Sequence, residues 1–315
     1  MTRIQPLSCF EVQGRIGQLW VHPIKSCAGT RVSRSRLFPT GLEWDRRWMV
    51  VDAEGGFVSQ RELPQMARIH PRVDASLLRV TAPGVPPLVL PLTPLDECER
   101  VRVKVWGDDV SAIDMGQTAA DWFTQCLAQP GAPAVLRFLR LVAFDAVAAN
   151  AQPRLSSDKW TGGLAVPNLF GDGFPLLATS QASLDDLNAR LVSRGVLPVD
   201  MRRFRSNLVL EGVEAHDEDR LEGLAMDVFQ SNAELPVRVF LALTKPCARC
   251  PIPDVDPDTA ERGTAVGDAL ATYRRDARLK GAVTFGVNGF AQTALPEGGL
   301  WLHEGQMFGA NWRFD

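Results

Sequence analysis

A pair of cysteines beside a predicted strand constrains this chain more than any other feature of its sequence. Residues 237–243 alternate between apolar and polar or small side chains, which is the pattern of a half-buried β-strand. Pro246 cannot donate a hydrogen bond to a neighbouring strand, so we expect the strand to end there. Cys247 and Cys250 then lie on the following loop, and the charge of Arg249 between them favours the thiolate form. This loop is therefore predicted to hold a ligand.

Four interpretations of the cysteine pair are open from the residues alone. A structural zinc site needs four ligands, and the sequence has no second Cys-x-x-Cys and no His-x₃-His. A thioredoxin-like dithiol opens a helix, whereas Pro251 and Pro253 favour an extended segment after Cys250. Two buried, unreactive thiols are the third interpretation. The fourth is a metal held by one thiolate and an anionic cofactor, whose phosphate needs ammonium, guanidinium and backbone donors.

Composition and charge exclude several classes of protein. The chain has 315 residues, 45% of them hydrophobic, which is enough for one large core or two ordinary ones. A net charge of −3 without basic runs gives no support for binding to nucleic acid or to an anionic membrane. No apolar run approaches the ~18 residues of a membrane span, and the N-terminus lacks the apolar part of a signal peptide. Apart from the close pair, the cysteines are scattered, so we expect a soluble, cytoplasmic protein in a reducing compartment.

Short strands outnumber helices along the chain, and there is no strand–helix–strand rhythm. The pattern predicts a mainly β fold of the α+β class, in which a β-barrel is covered by a few helices. Helices are expected over residues 118–127 with Thr118 as N-cap, over the segment that follows the N-cap Ser180, and over residues 268–275. A strand is expected over residues 204–210, starting within a basic patch.

Several separate motifs resemble those of the MOSC family, and they occur in the family's order. The motifs of the N-terminal half are HPIKSC at 22–27, GLEWDRRW at 41–48 and QRE at 60–62, and those of the C-terminal half are FRSNLV at 204–209, PCARC at 246–250, DPDT at 256–259, YR at 273–274 and FG at 285–286. The resemblance implies a MOSC N-terminal β domain over residues 14–135 and a MOSC-type β-barrel over residues 136–315. By architecture the chain is similar to the mitochondrial amidoxime-reducing component and its bacterial counterparts.

The resemblance implies a role for each matching residue. Cys250 would ligate molybdenum, and Cys247 would be its non-ligating neighbour. Ala248 and Arg249 would sit beside the thiolate and contact the cofactor. Asp172 matches an acidic residue near the metal, for which we expect a proton-donor role. The residues implied to hold the phosphate of the pterin come from both halves of the chain: Lys25, Ser26, Arg46, Arg205 and Asn207.

The function implied by the resemblance is that of a molybdenum-cofactor oxidoreductase, which reduces N-hydroxylated or N-oxide substrates. No cysteine follows Cys250, so we expect no iron–sulfur cluster and a separate electron donor of the ferredoxin, flavodoxin or cytochrome type. The alternatives are a non-catalytic carrier of the cofactor or of sulfur, and a barrel-shaped binding module without metal.

The chain departs from the family pattern at two positions. The chain has Ser206 where the family commonly has proline. It has Ala248 where the family often has serine, which removes one hydrogen bond beside the metal, worth ~1 kcal/mol.

Overall fold

The computed structural model describes residues 6–93, 98–127, 133–146, 153–230 and 235–314. The strands of the first half are β1 (Val12–Val21), β2 (Thr30–Arg31), β3 (Arg34–Phe38), β4 (Gly41–Leu42), β5 (Trp48–Val51), β6 (His70–Asp74), β7 (Leu77–Ala82), β8 (Val85–Pro91), β9 (Arg100–Val105) and β10 (Asp108–Asp114). The strands of the second half are β11 (Arg140–Phe144), β12 (Arg154–Leu155), β13 (Pro167–Asn168), β14 (Leu176–Ser180), β15 (Leu208–Glu211), β16 (Gly223–Val228), β17 (Val237–Ala248), β18 (Arg275–Asp276), β19 (Ala282–Ala291), β20 (Leu300–His303) and β21 (Met307–Ala310). The α-helices are α1 (Gln117–Leu127), α2 (Asp158–Thr161), α3 (Gln181–Val192) and α4 (Ala265–Ala271).

Seven of these strands close into a barrel. Their order is β14-β15-β1-β21-β16-β17-β19, and β19 also pairs with β14, which closes the ring. Neighbouring strands are antiparallel except for β14 and β15, which are parallel. Apolar side chains of these strands form one buried cluster, which includes Ile16, Leu210, Leu224, Leu241 and Val287. The mainly β fold and the barrel expected from the sequence are confirmed.

A second buried cluster lies in the first half of the chain. One sheet has the order β5-β11-β10-β9 and another has the order β6-β7-β8. Helix α1 joins them, and Trp48, Met66 and Phe123 are fully buried between these elements. Hydrogen bonds cross the expected domain boundary at residue 135, because β1 belongs to the barrel and β5 pairs with β11. The division into residues 14–135 and 136–315 stays a prediction.

The strand before the cysteine pair does not end at Pro246, so that expectation is wrong. Strand β17 continues to Ala248, and its register against β19 shifts just before Pro246 and again just after it. These irregularities let the strand pass a residue that lacks an N–H donor. Cys247 therefore lies in the last part of the strand and Cys250 just beyond it. The next segment is not extended either, because Ile252–Asp254 forms a 3-10 turn, which the fixed φ of proline favours.

Helices α3 and α1 differ in how well their N-terminal caps agree with the sequence. The helix expected after Ser180 is confirmed, and the Ser180 hydroxyl accepts a hydrogen bond from the backbone N–H of Ser183 at 3.0 Å. Helix α1 begins at Gln117, so Thr118 lies inside the helix and the expectation that it is the N-cap is wrong. Within the described ranges, no helix is both long and apolar enough to cross a lipid bilayer.

Two other elements begin at different residues from those expected. Helix α4 occupies Ala265–Ala271 instead of residues 268–275, because Asp254 from a separate loop accepts hydrogen bonds from two N–H groups of its first turn, at 2.9 and 3.1 Å. The strand expected over residues 204–210 begins only at Leu208, since Met201–Phe204 forms a 3-10 turn. The first difference arises from a contact with a residue outside the local sequence, and the second from the capping of a short turn by Asp200.

Glu218 is a fully buried carboxyl group beside the start of α3. The Ser183 hydroxyl donates to it at 2.8 Å and the backbone N–H of Ser180 at 3.3 Å. Burial and then the neighbouring charge of Asp219 raise the pKa of Glu218 from 4.5 to about 7. Because the pKa is higher in the folded state, the stability that this group contributes is present at low pH and is lost as the pH rises from 4.5 to 7.

Glu218→Gln removes this titration and keeps the shape of the side chain. Between pH 4.5 and 7, we expect the free energy of unfolding of the unchanged protein to fall by about 3 kcal/mol relative to that of the variant. Urea denaturation at a series of pH values measures the difference, and Asp217→Asn on the same turn is the matched control. Parallel pH profiles for the unchanged protein and Glu218→Gln would contradict the expectation.

Candidate functional site

The residues predicted for the site all line one cleft, where parts of both halves of the chain meet. They are Lys25, Ser26, Arg46, Asp172, Arg205, Asn207, Ala248, Arg249 and Cys250. Cys247 lines the cleft as well. Their individual roles stay predictions.

Lys25 and Ser26 are held in place by the sheet that follows them in sequence. The backbone N–H of Lys25 donates to the carbonyl oxygen of Trp48, the first residue of β5, at 2.8 Å. The side-chain amide of Gln60 donates to the carbonyl oxygen of Ser26 at 2.7 Å, and Gln60 is itself buried. The QRE motif therefore contributes to the cleft indirectly, because its glutamine fixes the loop that carries the lysine and the serine.

Three residues of the cleft have left-handed backbone conformations. The φ angle is +65° at Ser26, +48° at Arg46 and +58° at Arg205. A residue with a Cβ atom adopts this conformation at a cost of about 1–2 kcal/mol, so the surrounding contacts must hold it. For Arg46, the backbone N–H donates to the carbonyl oxygen of His22 at 2.8 Å. Such conformations concentrate at functional sites, and here they occur at one hydroxyl-bearing and two cationic residues of the same cleft.

Arg46 is fixed by a network that passes through Asn207. Its guanidinium group donates to the carboxylate of Asp45, to Oδ1 of Asn207 at 3.1 Å and to the carbonyl oxygen of Arg205 at 3.0 Å. Asn207 is 1% exposed, and its Oδ1 also accepts a hydrogen bond from the backbone N–H of Leu177 at 3.1 Å. The acceptor capacity of this amide is thus used within the protein, which makes Asn207 a positioning residue for Arg46.

Lys25 forms an ion pair with Asp172 inside the cleft. Its ammonium group donates to the Asp172 carboxylate at 2.5 Å and to the carbonyl oxygen of Phe170 at 2.9 Å. Burial lowers the pKa of Lys25. Partial burial acts to raise the pKa of Asp172, but the charge of Lys25 outweighs it and holds that pKa below its usual range. Asp172 is therefore ionised at neutral pH, and a proton-donor role requires this pair to open.

The side chain of Arg249 donates a hydrogen bond to the sulfur of one of the two cysteines. Its guanidinium group donates to Sγ of Cys247 at 3.2 Å and to the carbonyl oxygen of Phe204 at 3.0 Å. Its buried Nε atom has no hydrogen-bond partner among the described residues. Within the same ranges, no hydrogen bond reaches the sulfur of Cys250. Cys250 is thus the thiol that is available to a ligand.

The geometry bears on the other interpretations of the cysteine pair. Cys247 and Cys250 are free thiols that are partly exposed, which disagrees with the interpretation of two buried thiols. In the part of the chain that the structure describes, no group of three or more His, Cys, Asp and Glu side chains is placed to hold a metal, as a structural zinc site requires. A thioredoxin-like dithiol opens a helix, whereas only a 3-10 turn of three residues follows here, Ile252–Asp254.

Two polar side chains in or beside the cleft were not anticipated from the sequence, Asn288 and Trp106. Asn288 lines the cleft two positions after Gly286, and Trp106 donates from its indole nitrogen to Asp172 at 3.4 Å. The FG motif offers the only signal for Asn288. Gly286 has a φ of +75°, and a Cβ atom there would lie 2.6 Å from the carbonyl oxygen of Ala178, so only glycine fits. Trp106 lies in a hairpin turn between β9 and β10, and its approach to the cleft is a tertiary contact.

Comparison with known proteins identifies the family. Mitochondrial amidoxime-reducing component 1 of Mus musculus is 32% identical to the chain over 251 residues, which cover 78% of this chain and 67% of that protein. Residues 13–130 match the MOSC N-terminal beta barrel domain, and residues 166–299 match the MOSC domain. The chain belongs to the MOSC family. The resemblance seen in the sequence motifs is confirmed.

Two further relatives of this MOSC protein differ in how much of their length it covers. Mitochondrial amidoxime reducing component 2 of Homo sapiens is 30% identical over 274 residues, which cover 83% of the MOSC protein and 72% of the relative. Molybdenum cofactor sulfurase of Homo sapiens is 25% identical over 271 residues, which cover 82% of the MOSC protein and 28% of the relative. The cleft lies where the two matched segments meet, because Lys25 belongs to the first and Cys250 to the second.

Proposed function

We propose that this MOSC protein binds a molybdenum cofactor in the cleft and reduces N-hydroxylated small molecules with electrons from a separate donor protein. The main support is the convergence of three cations from both halves, Lys25, Arg46 and Arg205, on a cleft that also presents the free thiol of Cys250. A phosphate group needs ammonium and guanidinium donors, and a soft metal needs a thiolate. The names of the relatives, which refer to amidoxime reduction and to the molybdenum cofactor, support the same proposal.

The charges of the cleft fit an anionic group. Burial and then the charge of Arg46 lower the pKa of Arg205 to about 10, so its charge is incompletely compensated by the carboxylates around it. The buried Nε atom of Arg249, which lacks a partner within the described ranges, is one further donor. A phosphate group would supply both the negative charge and the acceptor oxygens that these groups lack. The residues present therefore fit a phosphate-bearing cofactor.

Each part of the cleft has a task in this proposal. When bound, the cofactor supplies a metal that takes up electrons and removes oxygen from an N–OH group. Cys250 would hold the metal through its thiolate, while Lys25 and Arg205 would neutralise the phosphate. Asn207 keeps Arg46 in the orientation in which its guanidinium group faces the cleft. The protein would thereby hold the thiolate and the phosphate-binding cations in place before the cofactor binds.

Asp172→Asn tests whether the Asp172 carboxylate competes with a bound anion for Lys25. Since the variant leaves the ammonium group without a carboxylate partner, inorganic phosphate should bind the metal-free protein roughly fivefold more tightly at pH 7. Isothermal titration calorimetry at constant ionic strength measures the change. Asp109→Asn removes an exposed carboxylate that does not line the cleft and should leave the affinity unchanged. Equal or weaker phosphate binding by Asp172→Asn would contradict the competition.

The proposed reaction is tested by turnover with a chemical electron donor. Protein loaded with the cofactor should convert benzamidoxime to benzamidine and water, consuming two electrons from reduced viologen and two protons per molecule. Protein from a host unable to make the cofactor is the control and should show no turnover. A carrier would contain molybdenum, show no turnover and pass the cofactor to an apo-enzyme, so that result would contradict the reductase and favour the alternative.

The cellular setting and the electron donor are part of the same proposal. All six cysteines are free thiols, which is typical of a reducing compartment, and we therefore infer a cytoplasmic location. The donor would be a ferredoxin-, flavodoxin- or cytochrome-type protein. Mixing each class of donor with the loaded protein and benzamidoxime, and following the oxidation of the donor, identifies the class that supports turnover.

A further inference from the structure

A second cleft, of about 460 Å³, lies next to the first one and also contains residues from both halves. Arg205 lines both clefts. The other charged or titratable residues of the second lining are all basic: Arg31, His70, Arg72, Arg202 and Arg203. Among the described residues, no aspartate or glutamate lines this cleft. Its wall therefore presents only positive or neutral groups.

Carboxylates outside the second cleft hold three of its arginines in place. The ion pairs are Arg31 with Glu304 at 2.6 Å, Arg202 with Asp258 at 2.7 Å and Arg203 with Asp256 at 2.7 Å. None of these carboxylates lines the cleft. They fix the guanidinium groups and leave the space in front of them open, which is the arrangement of a preorganised binding site.

The remaining two arginines are not paired with a carboxylate within the described ranges. Arg72 is exposed and has no hydrogen-bond or ion-pair partner there. Arg205 donates to the carbonyl oxygen of Cys27. Burial and then the charge of Arg202 lower the pKa of His70, and Arg72 contributes in the same direction, against the opposing charge of Asp258. The second cleft thus has two guanidinium groups that form no ion pair with a carboxylate of the described residues.

We propose that the second cleft binds a small molecule that carries a phosphate group, with Arg72 and Arg205 as the charges that it neutralises. A guanidinium group binds phosphate oxygens with two parallel hydrogen bonds, which gives geometry as well as charge. Trp20 also lines the cleft, so a ring attached to the phosphate would meet an aromatic wall. A nucleotide has both parts.

The phosphate has two sources that the structure allows. Because Arg205 is shared, the nucleotide is either a free molecule or an extension of a molecule held in the first cleft. The binding itself does not depend on a metal in the first cleft. It is therefore measured separately from the proposed reductase function, and either one can fail without the other.

Titration of ADP into the metal-free protein at constant ionic strength tests the proposal. Arg72→Gln should weaken ADP binding by about tenfold or more, because it removes a charge-assisted hydrogen bond to phosphate. Arg79→Gln is the matched control, since Arg79 is exposed, lies opposite Arg72 across β6 and β7, and does not line the cleft. It should change the affinity by less than about twofold. Lys25→Gln, which alters only the first cleft, should also preserve ADP binding.

Several results would overturn the proposal. The first is the absence of ADP binding, and the second is an equal loss of affinity in Arg72→Gln and Arg79→Gln. The third is a loss of affinity confined to Lys25→Gln, which would place the nucleotide in the first cleft. The source is then assigned with cofactor-loaded protein, by acid denaturation and chromatography of the released molecules. A nucleoside monophosphate in the same amount as the pterin indicates an extension, and retained ADP binding without it indicates a free ligand. Loaded protein with neither would also overturn the proposal.

Discussion

Cys250→Ala is expected to purify without molybdenum from a host that makes the cofactor, whereas Cys247→Ala should retain it. Alanine offers no sulfur, and the contacts around a metal cannot replace a protein ligand, so the molybdenum content should fall by more than about tenfold. Elemental analysis of the purified variants, normalised to protein, measures the difference. Unfolding curves should show that both variants are folded.

Cys247→Ala is a matched control, because both thiols are partly exposed and line the same cleft. The two differ in their partners. Arg249 donates to the sulfur of Cys247 at 3.2 Å, while no hydrogen bond from the described residues reaches that of Cys250. An equal loss of molybdenum from both variants, or a loss from Cys247→Ala alone, would contradict the assignment of Cys250 as the ligand.

Lys25→Gln is expected to lower the content of bound pterin by about tenfold or more, because a hydrogen bond between charged groups contributes about 1.5–3 kcal/mol. Lys25 is 5% exposed and has no other carboxylate than that of Asp172 among its described hydrogen-bond partners. An anion bound there would lose its buried ammonium donor. The measurement is the fluorescence of the oxidised pterin released from the purified protein, relative to the protein concentration.

Arg61→Gln is the control for the removal of a positive charge near the first cleft. Arg61 lies over the ring of Trp106, with its guanidinium carbon 4.7 Å from the ring centre, and it does not line the cleft. The pterin content of Arg61→Gln should equal that of the unchanged protein. If Lys25→Gln retained the pterin fully while remaining folded, Lys25 would not be a phosphate-binding residue, and that part of the proposal would be wrong.

The residues that line the candidate site could be predicted because most of them belong to sequence motifs. Lys25, Arg205 and Cys250 are far apart in sequence, and neither periodicity nor composition brings them together. The resemblance of several ordered motifs to one family does so, and the structure places the three residues in one cleft. Without the family resemblance, the sequence indicates only the types of functional group present. These are a thiol pair, an ammonium group and guanidinium groups, in segments that interrupt regular strands.

The local geometry of the site could not be predicted, since it depends on contacts between distant segments. Ser26, Arg46 and Arg205 have left-handed backbones without the glycine that usually signals one. Asn207, expected to bind the cofactor, uses its acceptor oxygen on Arg46 and on a backbone N–H of β14. Pro246 was expected to end a strand, but shifts in register on either side carry the strand past it.

The same limit explains which features of the fold were missed. The barrel was predictable from many short strands with alternating apolar residues, but which strands form it was not. Strand β1 belongs to the first half in sequence and pairs with β15 and β21 of the second half. Asp254 caps α4 from a separate loop, which shifts the helix relative to its sequence signal. Strand pairing and helix capping between distant segments depend on the tertiary structure, and a local sequence pattern does not specify them.

The molybdenum and pterin content of the unchanged protein tests the central claim most directly. The protein should be purified from a host that makes the cofactor, beside a known molybdoenzyme from the same cells. We predict close to one molybdenum atom and one pterin per chain. A chain that is folded but free of both, while the known molybdoenzyme is loaded, would contradict the account.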